Sequence, residues 1–348
     1  MSSTPHAWPA GYPPFQPRKW LTNGHLQTIA GNFLPRTNTL PEPVAEIIEV
    51  TPAHHHQIST EILCECHWQP EAVRVDRPTV ILLHGLEGSS RSQYVIGNAN
   101  KLWTAGANVV RMNMRNCGGH KYEMAARTPT LYHSGLSGDV AAVVRFCTET
   151  MGLNHISLIG YSMGGNLMLK YAGEAGASVP QLRAVVGVSP AVDLAASADA
   201  LHEKQNRFYE RRFLRALLKR FRRKAMLFPR AYDPQMAYGI ATLRDFDHRI
   251  TALYSGFRSA DDYYYRAASA RVLPSIAVPT LIIHANDDPF IRFTPETRSL
   301  IEANPHITWL ETGHGGHCAF LATPDPATHN DGYWAEHTAL RFIFDHAV

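Results

Sequence analysis

No run of this 348-residue chain is apolar over the ~20 residues that a membrane-spanning helix requires. The amino terminus shows no basic start followed by an apolar stretch, so no secretory leader is expected and the chain reads as cytoplasmic. Cysteine is scarce. Cys64, Cys66, Cys117, Cys147 and Cys318 make an odd count with no C-x-x-C pair, which argues against a disulfide framework and for a reducing compartment. Cys64 and Cys66 stand two apart in an alternating stretch and are expected on one strand face rather than around a metal. His54, His55 and His56 are consecutive, so they cannot all turn toward one ion; they read as a solvated hairpin. No metal site is expected. Excess charge is missing too: a formal net charge of +3 is too small to imply a nucleic-acid partner. No internal repeat is visible.

What is present is an alternation of short apolar runs with helical patterns, in a chain long enough to bury a large core. Residues 1–42 form a proline- and aromatic-rich arm, in which Pro9, Pro13, Pro14 and Pro17 deny regular helix and Trp8, Tyr12, Phe15, Trp20 and Phe33 suggest packing on the body. Val44 to Val50 and Thr60 to His67 alternate as half-exposed strands do. Pro78 to Leu83, Asn108 to Met114, Ile156 to Ile159, Leu182 to Val188, Pro279 to His284 and Ile307 to Leu310 read as buried strands, with helical patterns between most of them. Such alternation demands a mostly parallel central sheet with helices on both faces. It breaks from Ala191 to Leu273, which is helical in pattern and rich in Arg, Phe and Tyr. The expected organisation is an arm (1–42), a core (43–190 and 274–348) and an inserted helical cap (191–273).

The sharpest local signal is Gly160-Tyr161-Ser162-Met163-Gly164, set between a strand pattern and a helix pattern. A serine in that setting sits on a tight turn that lifts its hydroxyl above the sheet edge, while small residues on either side leave room for strand and helix. The turn also puts the Met163 N–H at a helix N-terminus, where donors are unpaired and can receive a developing oxyanion. Ligand sites in open α/β sheets lie beyond the carboxyl ends of the strands. Three candidates fall there in the order Ser, Asp, His. After the last strand, His314 and His317 both qualify as base; His317 is preferred, because Gly315 and Gly316 before it allow close approach and Phe320 after it can pin the loop. After the preceding strand, Asp287 and Asp288 point different ways, and Asp288 is preferred because Pro289 fixes its direction. Asp287 would then cap the loop, and Asp193 is a weaker alternative for the acid. His84, ahead of a glycine-bearing loop, reads as a loop-orienting residue. His133 and Asp139 stand one residue too far apart for a His-x4-Asp acyltransferase spacing and are set aside.

His84 to Gly88, Gly160 to Gly164, His284 to Phe290 and Gly315 to His317 together resemble the YheT-like branch of the α/β-hydrolase superfamily, related to the eukaryotic ABHD lipases. Tyr132 to Gly135 and Asn23 to Thr28 also resemble family stretches, the latter without a chemical account from the sequence. The resemblance implies the α/β-hydrolase fold and a catalytic set Ser162, Asp288 and His317. It also implies an oxyanion hole that adds the Leu86 N–H to that of Met163. It implies carboxylic-ester hydrolysis through an acyl-enzyme on Ser162, acting on small-molecule esters that extend to lipid or acylglycerol esters, with no cofactor. Two other readings stay open: an acyltransferase using the same residues, and a non-catalytic binding protein on this scaffold.

One cap segment, ERRFLRALLKRFRRKA from Glu210 to Ala225, reads as a basic amphipathic helix. Phe213, Leu214, Leu217, Leu218 and Phe221 form its apolar stripe; Arg212, Arg215, Lys219, Arg222 and Arg223 take other faces. The plain expectation is a lid helix with solvated charges. The sharper one is a helix over the Ser162 cleft that lines an acyl channel and makes a weak peripheral contact with anionic membranes.

Overall fold

Eight strands form one sheet in the order β1-β2-β4-β3-β5-β6-β7-β8 in a computed structural model that describes residues 9, 11–52, 58–120, 123–328 and 330–347. The strands are β1 (Val44–Thr51), β2 (Thr60–His67), β3 (Thr79–Leu83), β4 (Asn108–Met112), β5 (Ile156–Tyr161), β6 (Leu182–Val188), β7 (Thr280–Ala285) and β8 (Ile307–Thr312). β1 and β2 run antiparallel at one edge; β3 to β8 are mutually parallel. The histidine run His54 to His56 lies outside the described residues.

The unbroken apolar runs of the parallel strands follow from burial on both faces. Ile81, Leu83, Leu158 and Val185 point into one core; Val80, Leu82, Ile159 and Val186 point into the other. The first core takes in the helix Met163–Ala175 that follows β5. The second is covered by the helices Gln93–Thr104 and Trp334–His346, with Tyr12 and Phe15 of the arm packed against it. Cys64 and Cys66 are both buried on the same face of β2.

Between β6 and β7 the described residues form helices and turns with no strand. The longest helix, Arg207–Leu227, is built from strong helix formers and stops at Phe228, ahead of Pro229, where the α conformation is disfavoured. Its Leu214, Leu217 and Phe221 are buried in the same continuous core as β3 and β5, so the apolar stripe packs toward the sheet. The arm departs from its sequence reading: Gly24–Phe33 is a ten-residue helix. Asn23 caps it, its side chain accepting from the His25 and Leu26 N–H groups. The helix presents no apolar stripe to the core, because its buried positions are Gly24, Gln27 and Gly31 rather than aliphatic residues.

Candidate active site

Ser162 occupies a turn that few residues tolerate, with φ 55° and ψ −119°, between β5 and the helix Met163–Ala175. The turn is held by the Ser162 N–H donating to the Val188 carbonyl at 2.9 Å and by the Ser162 carbonyl accepting from Asn166 and Ala191. The neighbours must be small. A Cβ on Gly160 would lie 2.3 Å from the Gly164 carbonyl oxygen, and one on Gly164 would lie 2.4 Å from that of His84. A strained backbone retained under such packing is a common mark of a reacting centre.

The loop after β3 meets this turn. His84 is buried and fixes the loop: its Nδ1 lies 2.8 Å from the Gly85 carbonyl, and its Nε2 accepts from the Met114 N–H at 3.1 Å. Burial lowers its pKa to about 4, so it is a neutral imidazole. The Tyr94 hydroxyl accepts from the Gly85 N–H at 3.0 Å. Glu87 holds a bidentate pair with Arg220 of the long cap helix, at 2.8 and 3.1 Å. Among the described residues, the N–H groups of Leu86 and Met163 donate to no protein acceptor. Both residues line a chamber that also includes Ser162.

The histidine loop follows β8. His317 Nδ1 lies 2.8 Å from Asp288 Oδ2, and Asp288 Oδ1 accepts from the Phe290 and Ile291 N–H groups. Burial alone would raise the Asp288 carboxyl, but the charge of His317 and these hydrogen bonds hold it below the usual range. Phe290 packs against the imidazole with the ring planes tilted and the centroids 4.4 Å apart. The neighbouring pair is separate: Asp287 accepts from the Gly316 N–H at 2.8 Å and faces His314 at 3.4 Å. Asp193 accepts from Thr294 and Thr297 and is not brought to the histidine. Ser162 and His317 line the same cleft, with no hydrogen bond between their side chains; His317 Nε2 lies 3.6 Å from Cys318 Sγ. Catalytic hydrogen bonds are often long in ligand-free sites and tighten with substrate.

The segment Asn23 to Thr28, opaque in the sequence, clamps this loop. Thr28 Oγ1 accepts from the His317 N–H at 2.8 Å and donates to the Gly24 carbonyl at 2.7 Å. The Gln27 amide both accepts from and donates to the Leu321 backbone, at 2.8 and 3.1 Å. A Cβ at Gly24 would lie 1.9 Å from the Asp287 carbonyl oxygen, so the helix seats directly on the acid loop. Sequence pattern could not expose these roles, because the contacts are polar or steric; only the family resemblance marked the stretch.

Two cavities meet at Ser162, both lined by Leu86, Ser162, Phe213 and Phe290. One, of about 820 Å³, runs under the cap and is walled mostly by apolar groups such as Leu194, Leu201 and Leu217. The other, of about 1370 Å³, opens between the helices Gly24–Phe33 and Arg207–Leu227 and contains His317 and Arg212. No described helix is long and apolar enough to cross a membrane, and the described residues contain no cluster of His, Cys, Asp and Glu that could hold a metal.

Comparison with known proteins gives this chain relatives in sequence and in fold. The alpha/beta hydrolase fold family matches residues 78–324. The YheT protein of Escherichia coli is 30% identical over 88% of this chain and 87% of its own length. The phospholipase ABHD3 of Mus musculus is 30% identical over 70% of this chain and 59% of its own. The monoacylglycerol lipase of Saccharomyces cerevisiae is 29% identical over 70% of this chain and 55% of its own. Among solved structures, an esterase from Pyrococcus furiosus shares the fold with a TM-score of 0.52 at 15% identity, covering 90% of this chain and 100% of that one.

Proposed function

This chain belongs to the α/β-hydrolase fold family, in the branch that includes YheT, and from that membership we propose that it is an esterase or lipase that cleaves carboxylic esters through an acyl-enzyme on Ser162. The observation that carries the reading is the His317–Asp288 pair at 2.8 Å, which opens into the same cleft as a serine on a strained strand-to-helix turn. With Nδ1 donating to Asp288, the Nε2 of His317, which has Cys318 Sγ 3.6 Å away, is the atom left to take a proton. It takes the Ser162 proton as the oxygen attacks the ester carbonyl, and the N–H groups of Leu86 and Met163 receive the oxyanion. The tetrahedral intermediate collapses, His317 protonates the departing alcohol, and the acyl group stays on Ser162. Water then repeats the sequence, giving up a proton to His317 and releasing the acid.

The two cavities support a substrate with unequal halves. The apolar chamber suits an acyl chain, and the open cleft with Arg212 suits the alcohol side. The names of the yeast and mouse relatives favour acylglycerol or phospholipid esters as the class. The test is labelling by a fluorophosphonate probe together with hydrolysis of nitrophenyl esters. Both are expected in the native protein and absent in Ser162→Ala; a variant that is folded and still labelled removes Ser162 from the role.

A further inference from the structure

The cleft opens between two helices that leave unusual surfaces exposed. On Gly24–Phe33, Leu26 is 51% exposed and Phe33 67%, and Ile29 lies between them at helical spacing, so all three share one face. That helix contains no Asp, Glu, Lys or Arg. Across the cleft, Phe208 is 63% exposed at the start of the long cap helix. The two walls touch: His25 stacks on Tyr209 with ring centroids 5.7 Å apart, and the Arg212 guanidinium lies 5.8 Å from the Phe33 ring centroid.

The same cap helix carries Arg211, Arg215, Lys219 and Arg222 along one exposed stripe, spaced by three and four residues. None of these four pairs with a carboxylate among the described residues, whereas Arg220, on another face, is tied to Glu87. A lid helix with merely solvated charges commonly alternates their signs; this stripe has one sign only. Exposed aromatic and aliphatic side chains beside a stripe of one charge match an interface that is apolar at depth and anionic at its surface. A nucleic acid or another polyanion would engage the cations and leave Leu26, Phe33 and Phe208 in water.

We propose that the rim of the Ser162 cleft is a docking face for anionic lipid surfaces. Leu26, Ile29, Phe33 and Phe208 enter the acyl boundary while Arg211, Arg215, Lys219 and Arg222 meet the headgroups. This orientation points the mouth of the cleft into the bilayer, so an ester lipid reaches Ser162 without crossing water. That consequence rests on the lipid-ester reading above; the docking itself does not.

The two are separated by measuring binding on Ser162→Ala protein, which cannot consume lipid, and chemistry on a soluble short-chain nitrophenyl ester. The Ser162→Ala protein is spun with phosphatidylcholine vesicles and with vesicles containing phosphatidylserine, at low and at high salt. Binding is expected to the phosphatidylserine vesicles only, at low salt, and to fade as charges are screened. Arg211→Gln, Arg215→Gln and Lys219→Gln combined are expected to weaken it roughly a hundredfold, at about fivefold per cation. Leu26→Ser with Phe33→Ser is expected to weaken it about tenfold. In the Ser162 background, the triple Gln variant keeps the soluble-ester rate. Absence of binding to phosphatidylserine vesicles at low salt overturns the proposal. So does binding that resists the Leu26 and Phe33 changes and is matched by heparin, since a polyanion site needs no apolar rim.

Discussion

His317 has two carboxylates near its loop and takes one of them. Asp288 is buried, two backbone N–H groups fix one of its oxygens, and the other faces His317 at 2.8 Å. Asp287 instead ties down the Gly316 N–H beside the half-exposed His314. Substitution is therefore expected to divide the two pairs. His317→Ala and Asp288→Asn should each cost on the order of ten-thousand-fold in kcat. His314→Ala should stay within about tenfold of the native rate, an effect passed through the loop. Steady-state kinetics on a nitrophenyl ester checks this, and a dead His314→Ala beside an active His317→Ala would reverse the assignment. The pH dependence follows from the same contacts. Burial works against the charged imidazole, but the Cys318 sulfur, the Asp288 carboxylate and the hydrogen bonds to both outweigh it, and the His317 pKa is pushed up to about 10. In the proposed mechanism only neutral imidazole takes the serine proton, so a raised pKa moves the rising limb of the rate to higher pH. The limb should lie well above the ~6.5 of an unperturbed histidine. In the residual activity of Asp288→Asn it should move down, because the anion that favoured the imidazolium is gone. A rate that is flat between about pH 5 and 8 contradicts a histidine base.

At the level of elements, the helix Gly24–Phe33 and the loop after β8 behave as one unit although nearly three hundred residues separate them in the chain. The Thr28 hydroxyl and the Gln27 amide hold the backbone on either side of Cys318. Thr28→Ala removes the acceptor of the His317 N–H, and a displacement of the base by about 1 Å can cost on the order of a hundredfold. The expected result is a kcat lowered roughly ten- to a hundredfold with KM nearly unchanged, recovered by Thr28→Ser, which keeps the hydroxyl. Equal loss in Ala and Ser, or a loss confined to KM, removes the clamp. A second linkage joins the loop after β3 to the cap through Glu87 and Arg220, both largely out of water. Arg220→Met leaves the Glu87 carboxylate in a partly buried place without its cation, with the Tyr132 hydroxyl still donating to it, and should destabilise the protein by about 3 kcal/mol. Adding Glu87→Gln should recover much of that loss in a denaturant titration; additive losses refute the pairing. These two linkages mark the boundary of what the sequence disclosed. The strands and the long cap helix were readable because apolar runs and apolar periodicity encode them, and the turn at Ser162 because Gly160 and Gly164 flank it. Gly24–Phe33 was hidden, since it buries Gly24, Gln27 and Gly31 and its order comes from an Asn23 cap and contacts with residues far along the chain.

For the whole molecule, the arrangement that matters is the sheet with its cap joined by one apolar core. The residues beyond β3, β5, β7 and β8 were anticipated at one end of that sheet because parallel order forces their loops to one edge. The shape of the space between sheet and cap was not, because it depends on how Leu194–His202, Arg207–Leu227 and Ala260–Ala267 lean on one another. That space is the chamber of about 820 Å³, and its mostly apolar lining includes one buried acid. Asp247 lines it, with Oδ1 accepting from Thr251 at 2.7 Å and Oδ2 from Tyr264 at 2.8 Å, and burial pushes its carboxyl up to about 6. In the proposed reaction, an acyl chain that enters from Ser162 gains apolar burial along the walls and none against Asp247. Each added methylene should therefore raise kcat/KM by about fourfold, the equivalent of roughly 0.8 kcal/mol, up to a limiting length. Beyond that length kcat/KM should fall, because the chain must displace a hydrogen-bonded group. Ala198, on the chamber wall, tests the limit: Ala198→Phe fills part of the space and should shift the optimum to shorter acyl chains, with the rate on the shortest esters little changed. The measurement is kcat/KM across nitrophenyl esters of increasing length for the native protein and the variant. An optimum that stays at the same length in Ala198→Phe means that the acyl chain lies elsewhere, in the open cleft beside Arg212.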